Sequence, residues 1–112
     1  MSIAIQPHET VKIPTGLSIA VPEGYFGAIF ARSGLATKEG LRPANCVGVC
    51  DPGYRGEYIV ALHNDTDEVQ IVHTEQKIAQ LIILERPYIE FEEVDELDNT
   101  ERGKGGFGST GK

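Results

Sequence analysis

Turn residues punctuate this chain so closely that only short strands fit between them. Pro14 and Gly16 split two β-rich runs, Thr10–Ile13 and Leu17–Val21. Pro22-Glu23-Gly24 leads into Tyr25–Ala31, Asp51-Pro52-Gly53 ends the apolar run Cys46–Cys50, and Asn64-Asp65-Thr66-Asp67 follows Glu57–His63. Proline and glycine fix or free the backbone in ways that end regular structure. Cys46–Cys50 and Glu57–His63 are expected to pair as a hairpin across Asp51–Gly56. Val69, Ile71 and the polar residues around them alternate, as in a half-buried strand. Lys77–Leu84 is apolar enough to be buried on both faces. Only Gly34–Gly40 has room for a helix, one short turn with Gly40 placed to stop it. The expected fold is all-β, a sandwich or barrel.

A length of 112 residues allows one domain with a modest core, so oligomerisation is expected. The formal charge of −7 argues against a nucleic-acid-binding surface, which needs basic patches. No apolar run is long enough to span a membrane, and the opening residues lack the pattern of a secretory leader. The cytoplasm is the expected location. Cys46 and Cys50 on one strand would lie about 13 Å apart, at about 3.3 Å per residue. That is beyond the roughly 7 Å that a disulfide bridges. Free, mostly buried thiols are expected, and no zinc site.

The hydrophobic pattern ends near Asp95. The acidic stretch Glu92–Glu101 reads as a tether, dividing a β-rich domain of residues 1–98 from a glycine-rich arm of residues 99–112. The arm ends Arg102–Lys112, RGKGGFGSTGK. On composition alone it is either an unstructured tail or a segment that closes over a ligand. Glycine lets backbone N–H groups approach phosphate, Arg102 adds a charged fork and Phe107 a flat face. Gly106–Lys112 also spells most of a P-loop. It lacks the following Ser or Thr and any helix, so that reading fails.

Three further segments are weak singly. Ala31–Ala36 sets an Arg, a hydroxyl and a Gly at a helix start, where free N–H groups attract anions; an ordinary capped turn is the alternative. Gly48–Glu57 sets a carboxylate and a tyrosine in a tight turn, although a turn Asp usually bonds its own backbone. Lys77–Leu81 carries an amide, Gln80, on an apolar strand, where a structural hydrogen bond is the common role.

Taken in order, these segments resemble the trimeric dUTPase family. The resemblance rests on Arg32-Ser33-Gly34-Leu35-Ala36, on the G-V-x-D-x-x-Y-R-G-E segment from Gly48, on Lys77-Ile78-Ala79-Gln80 and on the arm. It covers nearly the whole chain. It implies a β-clip, or distorted jelly-roll, fold and hydrolysis of dUTP to dUMP and pyrophosphate. Such an activity keeps uracil out of DNA and supplies dUMP for dTMP synthesis. It implies Asp51 as the general base that deprotonates the attacking water, and Tyr54 beneath the deoxyribose, excluding a 2′-hydroxyl. Asn45, Val49, Cys50 and Ile59 are implied in the uracil slot. Arg32, Ser33, Gly34 and Gln80 are implied on phosphate oxygens, Arg102, Gly108 and Ser109 on the terminal phosphate, and Phe107 over the base. Mg²⁺ is expected on the triphosphate and not on protein ligands, and each site is expected to be shared within a homotrimer. Two departures stand out. The family's first motif, an A-G-x-D-L-type segment, is expected before position 1, and its absence would impair turnover. Glu75-Gln76 replaces the usual Gly-Asp before Lys77. The alternatives are a non-catalytic trimer that binds dUTP or a protein partner, and a relative of the dCTP deaminases.

Overall fold

Eight strands and one helix make up the regular structure in a computed structural model that describes residues 1–106. In chain order these are β1 (Ser2–Ile5), β2 (Thr10–Pro14), β3 (Tyr25–Phe30), α1 (Ser33–Glu39), β4 (Leu41–Pro43), β5 (Gly48–Cys50), β6 (Ile59–Asn64), β7 (Gln70–His73) and β8 (Gln80–Glu85). They pair into three small antiparallel sheets, ordered β1-β7, β2-β6-β4 and β5-β3-β8. The two central strands carry the buried positions. On β6 these are Val60, Leu62 and Asn64, and on β3 they are Gly27, Ala28 and Ile29. The side chains of Val60, Leu62 and Ile29 meet Ile5, Ile13, Leu41, Tyr58 and Val72 in one core.

Asn64 ties the sheets together. It is fully buried, and its amide nitrogen reaches the carbonyls of Ile5, Gln6 and Glu68 at 3.0, 3.2 and 2.8 Å. Its amide oxygen accepts from the N–H and hydroxyl of Thr66 at 2.9 and 2.7 Å. A buried amide is stable only when its donors and acceptors are met in this way. Gly27 plays a steric part on β3. A Cβ there would lie 3.1 Å from Leu81 Cδ1 and 3.3 Å from Cys50 Cβ, so the glycine lets β8 and β5 close on β3.

The all-β architecture and the short helix agree with the sequence reading. Gly40 stops α1 with φ of 69°, and its N–H bonds to the Leu35 carbonyl. Five expectations need correction. The hairpin between Cys46–Cys50 and Glu57–His63 does not form, because β5 pairs with β3 while β6 pairs with β2 and β4. The capture of Tyr58 explains this: its N–H bonds to Leu17 O at 2.7 Å and its carbonyl accepts from Thr15 N at 3.1 Å. Leu17–Val21 is not a strand. Val72 is the buried residue of β7, while Val69 and Ile71 are exposed. All six residues of β8 are exposed, so both faces of that strand are uncovered in the single chain. The cysteines are free as expected, but Cys46 is exposed and Cys50 only half-buried.

Candidate active site

A cavity of about 260 Å³ opens beside the loop that joins β5 to β6. It is lined by Asn45, Val49, Cys50, Asp51, Tyr54 and Ile59, six residues singled out from the sequence, together with Ile29, Gly48, Glu57 and Tyr58. The loop has its own internal frame. Tyr54 N–H bonds back to the Asp51 carbonyl at 3.2 Å. Arg55 Nη1 donates to the carbonyls of Pro52 and Tyr54 at 2.5 and 3.0 Å. Glu57 Oε2 accepts from Gly16 N–H at 2.8 Å, fastening the loop to the β2–β3 connection. These bonds occupy Arg55 and Glu57 and leave the Asp51 carboxylate exposed at the cavity wall.

Tyr54 and Tyr58 stack with ring centroids 6.1 Å apart and planes at 29°. The Tyr54 hydroxyl donates to the Glu57 carbonyl at 2.8 Å. Tyr58 is 5% exposed, and among the described residues its hydroxyl has no hydrogen-bond partner. Burial pushes the Tyr58 phenol above its ordinary pKa, and the adjacent Cys50 adds to the rise, so the ring stays neutral. Tyr58 and Ile29 were missed from the sequence because each reads as plain core. Gly48 had a steric signal that only the fold reveals: a Cβ there would lie 3.3 Å from Ile29 Cβ and 3.4 Å from Asn45 Nδ2.

A second, separate recess is lined by Arg32, Ser33, Gly34, Leu35 and Gln80. Strand register explains how residues so far apart in sequence meet here. Phe30 on β3 pairs with Gln80 on β8, and the chain enters α1 just beyond Phe30. Gln80 Nε2 then donates to the Ala31 carbonyl at 2.8 Å. Arg32 is the extended residue before α1, and its side chain makes no capping hydrogen bond. The N–H groups that open a helix have no intrahelical partner. The structure thus gathers the four residues singled out from Ala31–Ala36 and Lys77–Leu81, but not in contact with the Asp51 cavity, since the two share no lining residue.

Arg102 lines neither recess; its Nε donates to the Gly105 carbonyl at 2.7 Å. Phe107, Gly108 and Ser109 lie outside the described residues. Among the described residues no three His, Cys, Asp or Glu side chains converge as a metal-ligand set. No described helix is long and apolar enough to cross a membrane.

A family model described as dUTPase matches residues 1–111. The chain is 52% identical over 110 residues to the deoxyuridine 5′-triphosphate nucleotidohydrolase of Desulfitobacterium hafniense, covering 97% of this chain and 73% of that protein. It is 44% identical over 111 residues to the enzyme of the same name from Fusobacterium nucleatum, covering 99% and 76%. The dUTPase of Staphylococcus bacteriophage 80alpha, solved with dUPNHPP, superposes with a TM-score of 0.89 at 27% identity, covering 100% of this chain and 82% of that one. By both sequence and fold, the chain belongs to the dUTPase family.

Proposed function

We propose that this protein hydrolyses dUTP to dUMP and pyrophosphate. The observation that carries the reading is the Asp51 cavity, where the exposed carboxylate, Tyr54 and a slot of backbone and small side chains meet. Relatives that carry the name deoxyuridine 5′-triphosphate nucleotidohydrolase support it. Asp51 takes the proton of the water that attacks the α-phosphorus, because water beside a polyanion is a poor nucleophile without proton removal. The P–O bond to the leaving pyrophosphate breaks as the new bond forms. The base lies among Asn45, Val49, Cys50 and Ile59. A slot that pairs a uracil edge leaves cytosine's groups unpaired, which is costly once the bound base excludes water. Tyr54 lies under the sugar.

The phosphates fall to Arg32, Ser33, Gly34 and Gln80, closed over by Arg102, Phe107, Gly108 and Ser109 of the arm at residues 99–112. Mg²⁺ bound to the triphosphate would supply charge neutralisation.

A homotrimer with shared sites fits four observations. The Asp51 cavity and the α1 recess lie apart on one chain. Strand β8 is uncovered on both faces. Beyond it, Tyr88, Ile89, Phe91 and Leu97 are 86, 64, 95 and 80% exposed in a segment with no regular structure. The radius of gyration, 19.0 Å, exceeds the about 13 Å of a compact domain this long. Apolar surface of this extent is stable only when covered. The cytoplasm, where deoxynucleotides are made, is the proposed location.

The test is pyrophosphate release from dUTP, dTTP, dCTP and UTP. Release from dUTP alone supports the proposal. Ammonia release from dCTP, or dUTP binding with no turnover, would refute it.

A further inference from the structure

The glycine at position 56 is not explained by its backbone. Positive φ values occur at Gly16, Gly24, Gly40 and Gly103 among the described glycines, and Gly56 is not one of them. Its φ therefore does not call for glycine. What it lacks room for is a side chain. A Cβ at Gly56 would lie 2.5 Å from the Tyr54 hydroxyl oxygen, 2.7 Å from Cζ and 3.0 Å from Cε1. Every one of these atoms belongs to a single ring. The same ring is held by its bond to the Glu57 carbonyl and by stacking on buried Tyr58. Gly53, in the same loop, is a useful contrast, because a Cβ there would meet nothing within 4 Å.

We propose that Gly56 is a positioning residue for sugar selection, acting through Tyr54: its bare α-carbon is the seat on which the tyrosine ring lies. The inference rests on the proposed role of Tyr54 beneath the deoxyribose. A methyl group at position 56 cannot coexist with the ring where it now lies. The exposed ring edge moves more readily than the loop backbone, which Arg55 and Glu57 hold. A displaced Tyr54 rises into the sugar position or swings clear of it. Either movement alters the space that tells a 2′-hydrogen from a 2′-hydroxyl. A group misplaced by about 1 Å can cost on the order of 10²-fold in rate.

The experiment is a double-mutant cycle read by the ratio of kcat/KM for dUTP to that for UTP. Gly56→Ala is expected to lower this ratio at least about tenfold, or about 1.4 kcal/mol, while Gly53→Ala leaves it unchanged. Tyr54→Ala lowers it as well, and adding Gly56→Ala to Tyr54→Ala has no further effect, because the ring is already gone. The signal of isotope-labelled Tyr54 also shifts in Gly56→Ala without nucleotide. If Gly56→Ala alone fails to fold, the proposal requires that the double variant fold. An unchanged ratio with an unmoved ring signal would overturn the proposal, as would additive losses in the cycle or a double variant no better folded than the single. If Tyr54→Ala leaves the ratio intact, the sugar role of Tyr54 is refuted. The ring signal then decides by itself whether Gly56 seats Tyr54.

Discussion

The Asp51 cavity is backed by packed side chains, whereas the α1 recess is walled largely by a helix end. Behind the cavity stand Tyr58 and Ile29, 5% and 9% exposed, with Tyr54 braced on one of them. At the recess, Ser33 and Gly34 are exposed, Arg32 is uncapped, and a single side-chain bond from Gln80 joins the two walls. Packed walls discriminate by shape, since an ill-fitting group leaves polar atoms unpaired. A helix end with one arginine attracts anions and discriminates little between them. On the proposed function, the difference corresponds to a division of the nucleotide, with base and sugar read at the cavity and phosphates held at the recess. It also shows the recess to be the less complete of the two. One guanidinium cannot balance a triphosphate on a chain whose net charge is −7, so further cations must come from the arm, from Mg²⁺ or from another subunit.

The largest expected effect is at the cavity. Asp51→Asn keeps the shape but cannot accept a proton, and kcat for dUTP should fall about 10²–10⁴-fold with binding nearly intact. A variant within a few-fold of the parent would remove Asp51 from the mechanism. Arg32→Ala tests the other region. A hydrogen bond to a charged group is worth about 1.5–3 kcal/mol, and the loss should fall on KM for every triphosphate alike. A selective loss for dUTP would break the division, because it would make the recess a reader of the base. Phe107→Ala probes whether the arm serves the cavity. Stacking on a base contributes about 1–3 kcal/mol, so dUTP should weaken accordingly while inorganic triphosphate binding is unchanged.

Two smaller effects concern stability. Tyr58→Phe removes a buried hydroxyl that lacks a partner among the described residues, and should raise stability by roughly 1 kcal/mol. For a domain of about 100 residues that is roughly 4–8 °C in Tm. A lower Tm would mean that the hydroxyl is satisfied. Asp65 lies away from both regions and accepts two bonds from Arg42, at 2.6 and 3.1 Å. That bonding lowers the Asp65 pKa below its usual 3.8. A carboxylate with a depressed folded pKa stabilises the fold above its unfolded pKa, and the benefit is lost as pH falls through the folded value. Asp65→Asn should therefore lower Tm slightly at neutral pH and not at all in strong acid, with the difference shrinking in salt.

Much of this was readable in the residues, and the failures have physical causes. The cavity could be read because all its lining residues but Ile29 lie within fifteen residues of chain, Asn45 to Ile59, inside a segment that resembles a known family. Helix α1 could be read because Gly40 supplies the left-handed stop. The pairing of β5 could not. Asp51-Pro52-Gly53 looks like a hairpin turn, and nothing local shows that Tyr58 will be captured by Leu17 and Thr15 of the β2–β3 connection. Strand β8 failed differently. Its sequence, QLIILE, reports a demand for cover without naming what provides it, and the single chain leaves that demand unmet. Tyr58 carries no signal in the sequence; Gly56 stands within the G-V-x-D-x-x-Y-R-G-E segment, but its contact with Tyr54 is visible only in three dimensions.

The division of the nucleotide is tested most directly by titrating the isotope-labelled protein separately with deoxyuridine and with inorganic triphosphate, following backbone amide signals. Deoxyuridine is expected to move amides within Gly48–Ile59 and leave Arg32–Leu35 still. Inorganic triphosphate is expected to move Arg32–Leu35 and Gln80 and leave the cavity still. Deoxyuridine that shifts the α1 amides while the Gly48–Ile59 signals stay in place would contradict the account.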